Sequence, residues 1–134
     1  IDPGTKTLGI AISNSDLTVA SPIFTIQRKK LKSDLNQLLE VLKKYDITGI
    51  IIGWPLNMDG SIGPRCDSVR DFVKSLLEVI DIPILLQDER MSTMAIEKPM
   101  IKADLTRKKR NFRTDQLAAC WILQTALDGL PKRM

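Results

Sequence analysis

The stretch that decides the fold is Ile1-Asp2-Pro3-Gly4-Thr5-Lys6-Thr7-Leu8-Gly9-Ile10-Ala11-Ile12. An acidic residue closes a short apolar run, a Pro3-Gly4-Thr5 turn follows, and Leu8 to Ile12 supplies a second β-type run, so the stretch reads as a β-hairpin. Asp2 then leaves its strand with the carboxylate directed into a cleft. Gly4 has no side chain to keep a phosphate or a metal ion away from the backbone. Thr5 and Lys6 add a hydroxyl and a cation at the same height. A plain hairpin with a turn-favouring Asp would use some of the same residue types, so the remainder of the chain must decide between the two.

Beyond the hairpin, Val19 to Gln27 reads as a third strand, with Pro22 confining it to a sheet edge. Ser33 is the expected N-cap of an amphipathic helix in which Leu35, Leu38, Leu39 and Leu42 recur at intervals of three and four, ending near Tyr45. Thr48 to Gly53 is β-branched and apolar on both faces, the pattern of a central parallel strand covered by helices. Trp54 to Ser61 follows at its carboxyl end, where open α/β sheets bind ligands. Asn57 and the Asp59-Gly60 turn suit a rigid loop that holds a backbone phosphate, or an ordinary turn. Pro64 opens a second helix, with Val69, Phe72, Val73, Leu76, Leu77 and Ile80 as its apolar face. Ile82 to Gln87 reads as another buried strand and delivers Asp88-Glu89-Arg90 to the same edge. Ser92 suits the cap of a short helix. Lys98 to Arg113 loses its periodicity and reads as a mobile loop over the cleft. Thr114 is the expected cap of a last helix from Asp115 to about Asp128, stopped by Gly129 and Pro131.

The resulting order, β-β-β-α-β-α-β-α, predicts an α/β fold. Its mixed five-stranded sheet would have three antiparallel strands feeding parallel ones, with helices on the flanks. Residues 1–134 are expected to form a single domain, long enough to bury about two-thirds of its unfolded surface. The first residue is not Met and falls inside a strand, so a few natural residues are expected ahead of it. The longest apolar stretch, Ile47 to Leu56, is broken by Thr48, Gly49 and Gly53 and is too short to span a bilayer. Two cysteines, Cys66 and Cys120, lie far apart and offer no disulfide framework or zinc spacing, which fits a reduced cytoplasm. Histidine is absent, which leaves carboxylates as the strong candidates for metal chemistry.

Net charge is +4, and the excess is clustered. Arg28-Lys29-Lys30-Leu31-Lys32 and Arg107-Lys108-Lys109-Arg110-Asn111-Phe112-Arg113 hold nine of the twenty basic residues, a distribution that points to a polyanion partner. The first cluster also reads as a solvated loop. The second precedes an acidic site candidate and carries Phe112, which could stack on a base. Asp2, the Asp88-Glu89 pair and Asp115 are all expected at one sheet edge. Asp115 shares a helix face with Ala118, Ala119 and Ile122, and buried acids need partners. A divalent ion with three or four oxygen ligands, Mg²⁺ above all, would serve. Each acid has a plainer role open to it. Asp115 would complement a helix N-terminus, and Asp88 or Glu89 would pair with Arg90 at the surface.

The motifs together resemble the YqgF family, a RuvC-type group of ribonuclease H-like proteins described as Holliday junction resolvases and pre-16S rRNA nucleases. The resemblance runs nearly end to end. It rests on Asp2 to Ala11, on Gly53-Trp54-Pro55-Leu56-Asn57-Met58-Asp59-Gly60, on Asp88-Glu89-Arg90-Met91-Ser92-Thr93, and on Asp115-Gln116-Leu117-Ala118-Ala119 with Ile122-Leu123-Gln124. Trp54 departs from it, standing where the family has a small or aliphatic residue. The resemblance implies a ribonuclease H-like fold and a catalytic set of Asp2, Glu89 and Asp115 that binds Mg²⁺ or Mn²⁺. The second acid lies within the Asp88-Glu89 pair, and side-chain direction there stays open.

The implied activity is metal-dependent endonucleolytic cleavage of structured nucleic acid, at the 5′ end of the small-subunit rRNA precursor or at branched DNA. Thr5, Lys6, Asn57, Arg90, Arg107, Lys108, Lys109, Arg110 and Arg113 are the expected contacts to that nucleic acid. Ribosomal particles are candidate partners, and the protein is expected to be a monomer or weak homodimer, cytoplasmic and off the membrane. Two rival readings are a non-catalytic nucleic-acid-binding assembly factor, which the basic clusters alone would serve, and an actin-like ATPase. The ATPase needs two such domains around its nucleotide, and 134 residues supply one.

Overall fold

The computed structural model describes residues 1–90 and 107–130, with residues 107–116 described by their backbone alone. The opening hairpin is present. β1 (Asp2–Pro3) runs antiparallel to β2 (Thr7–Ser13), pairing Asp2 with Gly9 and Pro3 with Leu8. The turn closes through the Gly4 N–H, which donates to Thr7 O at 2.9 Å. A Cβ on Gly4 would sit 2.8 Å from that same oxygen, so the close approach requires glycine.

β2 pairs with β3 (Ala20–Gln27), and the register shifts between Ile10 and Ala11, opposite the Pro22 to Phe24 segment. Pro22 lacks an N–H to donate, and β3 lies at the edge of this three-stranded sheet, as expected. β4 (Ile50–Trp54) and β5 (Ile84–Asp88) form a parallel pair in register from Ile50↔Ile84 to Trp54↔Asp88. Among the described residues the strands group as three and two rather than as the expected single five-stranded sheet. Ile1 links them: its nitrogen donates to Ile51 O at 2.7 Å and its carbonyl accepts from Gly53 N at 2.9 Å. The two hydrogen bonds lay the start of β1 against β4.

α1 (Leu31–Lys43) and α2 (Pro64–Leu77) connect these strands. Leu8, Ile10 and Ile26 from the antiparallel sheet, Leu35 and Leu38 from α1, Ile50 and Ile52 from β4, and Val69, Phe72 and Leu76 from α2 form one buried core. α3 (Arg107–Asp128) crosses β2 and β3, with Ala118, Ala119 and Ile122 buried. Gln124 of α3 fastens that packing. Its Nε2 donates to Thr18 O at 2.8 Å, and its Oε1 accepts from Ala20 N at 3.0 Å.

Four local expectations are corrected. Ser33 is not the N-cap of α1. The cap position is Lys30, and Asp34 closes the first turn by accepting the Lys29 N–H at 3.0 Å. Leu77, assigned to the buried face of α2, is exposed. β5 is not a buried strand, since Leu85 and Leu86 are 57% and 41% exposed; an apolar run reports composition, whereas burial depends on place in the sheet, and β5 pairs only with β4 among the described strands. Finally, α3 starts at Arg107, so residues 107–113 are helical where a loop was expected, and neither Thr114 nor Asp115 is at a helix start. Lys and Arg are good helix formers, and a basic run extends a helix without any apolar periodicity. The helix expected after Ser92 and the loop expected over residues 98–106 lie outside the described residues.

Candidate active site

β5 ends with Asp88, and the chain then turns under a hydrogen bond from Glu89 N to Trp54 O at 3.3 Å. Successive residues of an extended chain face opposite ways, and the two acids diverge accordingly. Asp88 turns outward. Its Oδ2 accepts from Arg90 Nε at 2.8 Å and faces Nη2 at 2.7 Å, and its Oδ1 accepts from Arg90 N at 3.0 Å. Those bonds from Arg90 hold the Asp88 carboxyl below its usual range.

Glu89 turns inward, toward Asp2 on β1. Burial pushes its carboxyl up to about 8, and the neighbouring charge of Asp2 and a side-chain hydrogen bond with Asp2 add to the rise. The Arg65 charge, from the first turn of α2, pulls the other way. Glu89 Oε2 is buried without a hydrogen-bond partner among the described residues, a condition that costs free energy unless something else satisfies it.

The space for Glu89 comes from Gly53. A Cβ on that residue would collide with Glu89 Oε2 and lie 2.8 Å from Ile122 Cδ1 of α3. The sequence reading did not single out either Gly53 or Arg65 for the site. Gly53 had a signal, because a glycine at the end of a β-branched run marks a close approach. Arg65 had none, since nothing local distinguishes it from other basic residues on an exposed helix turn.

Of the other site candidates, Thr5 and Lys6 are exposed at the hairpin tip beside Asp2. Asn57 braces its own loop: its Nδ2 donates to Ser61 Oγ at 3.0 Å and its backbone N–H to Ser61 O at 2.9 Å. Arg90 is engaged with Asp88, and its Nη1 reaches Met58 O at 3.4 Å. Arg107, Lys108, Lys109, Arg110, Arg113 and Asp115 lie on α3, and their side chains are outside the described residues. Asp115 stands about two turns into that helix, too deep to complement its N-terminus. Among the described residues no three acids or cysteines converge on one point; Asp2 and Glu89 meet as a pair.

A hairpin acid facing a second acid at the end of a parallel strand is a pair whose oxygens suit a hard divalent cation. The chain belongs to the RuvX family, described as Holliday junction resolvase, whose profile matches residues 1–129. It is 50% identical over 130 residues to a protein of Ruegeria sp. (strain TM1040), an alignment covering 97% of this chain and 83% of that protein. It is 47% identical to one from Ruegeria pomeroyi (97% and 84% covered) and 48% identical to one from Rhizobium meliloti (97% and 79% covered). All three carry the name "Putative pre-16S rRNA nuclease". No helix among the described residues is long and apolar enough to cross a membrane.

Proposed function

We propose that the chain is a ribonuclease H-like, metal-dependent endonuclease. Its substrate in this reading is structured RNA, at the 5′ end of the pre-16S rRNA. One observation carries it: a buried carboxyl oxygen of Glu89, without a hydrogen-bond partner among the described residues, beside the carboxyl of Asp2. Two carboxyls in that relation cannot both ionise cheaply, and a hard cation with oxygen ligands is what such a pair fits. Asp2 and Glu89 would hold Mg²⁺ or Mn²⁺, with Asp115 as the third acid. A bound divalent ion supplies Lewis-acid activation of water and neutralises charge at the phosphodiester.

The remaining work falls to the chain itself. Glu89, held up at about 8, keeps a proton in the free protein that must leave before a cation enters. Gly53 leaves the carboxyl its room, and Arg65 offsets the negative charge of the pair. Thr5 and Lys6 at the hairpin tip, and the basic first turns of α3, meet the phosphates of the substrate. The protein acts as one domain in the cytoplasm, on the rRNA precursor alone or within ribosomal particles, and as a monomer or weak homodimer.

A second reading, cleavage of four-way DNA junctions, is favoured by the family's description. A panel of pre-16S RNA and junction DNA, each with Mg²⁺, Mn²⁺ or EDTA, separates the two. Metal-dependent cleavage of the RNA that disappears in Asp2→Asn and Glu89→Gln is the expected result. Salt-sensitive binding with no turnover in any metal would instead make the protein an assembly factor.

A further inference from the structure

The hairpin turn that carries Asp2 has a second face. There Gly4 and Thr5 border a cleft of about 380 Å³ whose other walls include Arg28 and Lys29, ahead of α1, and Arg65 and Ser68 of α2. Arg28 is fixed in place. Its Nη1 donates to Gly4 O at 2.7 Å, its Nε lies 3.7 Å from Asp34 Oδ2, and its guanidinium carbon is 5.8 Å from the centre of the Phe72 ring. Arg65 Nη2 donates to Pro3 O at 2.9 Å. A guanidinium group has five N–H donors, so both arginines retain donors after these bonds. Asp34 is the acid of the cleft, but it is 2% exposed and turned onto Arg28 and the Lys29 N–H. Three cationic residues thus line the cleft, together with the hydroxyl-bearing Thr5 and Ser68, and its carboxylate is already engaged.

We propose that this cleft binds a backbone phosphate of the substrate strand adjoining the one that reaches Asp2 and Glu89, with Arg28, Lys29 and Arg65 as its ligands. The inference rests on the nuclease reading above and adds a positioning site to it. Continuity favours a strand over a free anion. Only Pro3 separates Asp2 from Gly4, so an anion seated in the cleft and one at the acid pair lie on either side of a single hairpin turn. Arg65 joins the two places directly, since it grips Pro3 O and its charge acts on Glu89. Rigid, bidentate-capable arginines suit phosphate oxygens, and their anchors on Pro3 O of β1 and Gly4 O of the turn couple the register of the strand to the position of Asp2.

The arginines would also brace the hairpin in a protein with no such site, so Lys29, whose own bond to Asp34 is through the backbone, is the discriminating residue. The test is salt-dependent binding of the cleavage-inactive Glu89→Gln protein to a pre-16S RNA fragment. Removing one cation that neutralises a phosphate lowers the slope of log K against log salt by about one. Lys29→Ala and Arg65→Gln are each expected to reduce the slope by about that amount, and Arg65→Lys to keep it. Lys44→Ala, at the far end of α1, serves as the control that leaves slope and affinity alone. An unchanged slope in Lys29→Ala would overturn the cleft while wild-type cleavage left the acid pair standing. Wild-type RNA binding through the cleft without cleavage in any metal would overturn the nuclease reading and leave the cleft.

Discussion

The carboxyl of Glu89 occupies the volume that a side chain on Gly53 would need: a Cβ built there collides with Glu89 Oε2 and crowds Ile122 Cδ1. Adding one methyl group at this point must move the acid, the last helix, or both. Overpacking of a core costs about 1–3 kcal/mol, and Gly53→Ala should lose stability in that range, read from the urea midpoint. The activity loss should exceed what the lost stability explains. Under conditions where the variant is fully folded, cleavage should still fall by about 100-fold or more, because misplacing a reacting group by about an ångström costs that much. A folded Gly53→Ala protein with wild-type cleavage would show that Glu89 need not sit where it does.

The acid pair also sets a pH dependence for the metal-free protein. The Glu89 carboxyl has its ordinary value of 4.5 when unfolded and about 8 when folded. Between those values the folded state holds more protons than the unfolded one. The stability this carboxyl contributes is therefore fully present below about 4.5 and is lost as pH rises toward about 8. In EDTA, the urea midpoint of the wild type should fall between about pH 5 and about pH 8.5, and Glu89→Gln should flatten that fall. Adding Mg²⁺ should restore the loss most strongly at the alkaline end, since an ion that binds the deprotonated pair stabilises the fold by mass action. A midpoint that rises over the same range in EDTA would contradict the burial of Glu89.

How far this arrangement could be read in advance depends on how local its causes are. The β1–β2 hairpin was legible because Pro3, Gly4 and Thr5 carry their turn chemistry within a few residues, and the edge position of β3 followed from the missing N–H of Pro22. The inward turn of Glu89 was not legible. It depends on β5 continuing through Asp88 in register with Trp54, and one residue of slippage would have exchanged the two acids. The exposure of Leu85 and the early start of α3 escaped for a related reason, as composition reports neither the neighbours of a strand nor the propensity of a basic helix turn. The four motifs were legible as a family signature because each is a short contiguous run, and the family profile matches residues 1–129.

Asp34 offers a stability prediction at the other end of the cleft. It is buried, its Oδ1 accepts the Lys29 N–H and its Oδ2 faces Arg28. Removing one partner of a fully buried ion pair costs about 3–5 kcal/mol. Arg28 is partly exposed and keeps its bond to Gly4 O, so the stranded charge is not fully buried. The cost of Asp34→Ala should then be nearer the loss of a hydrogen-bonded buried acceptor, about 1–3 kcal/mol. Asp34→Asn should lose less, because its amide oxygen can still accept from Lys29 N. Equal losses in the two variants, by thermal or urea unfolding, would place the stabilisation in the charge rather than in the closure of α1.

Asp88 and Glu89 are neighbours in sequence with opposite surroundings, and paired substitutions should separate their roles. Glu89→Gln removes the inward acid that could ionise to hold a cation while keeping the side chain's shape, and cleavage should fall to background if a cation is held there. Asp88→Asn instead weakens an exposed pairing with Arg90, which also reaches Met58 O. Exposed ion pairs contribute little to stability, and the loop after β4 is braced independently by Asn57 and by Asp59, which accepts from Ser61 N and Oγ. Cleavage by Asp88→Asn should therefore fall by less than about tenfold, through looser placement of the loop rather than loss of a ligand. Raising the Mg²⁺ concentration distinguishes the two effects. A ligand defect at position 88 would be partly rescued by excess metal, whereas a loosened loop would not respond.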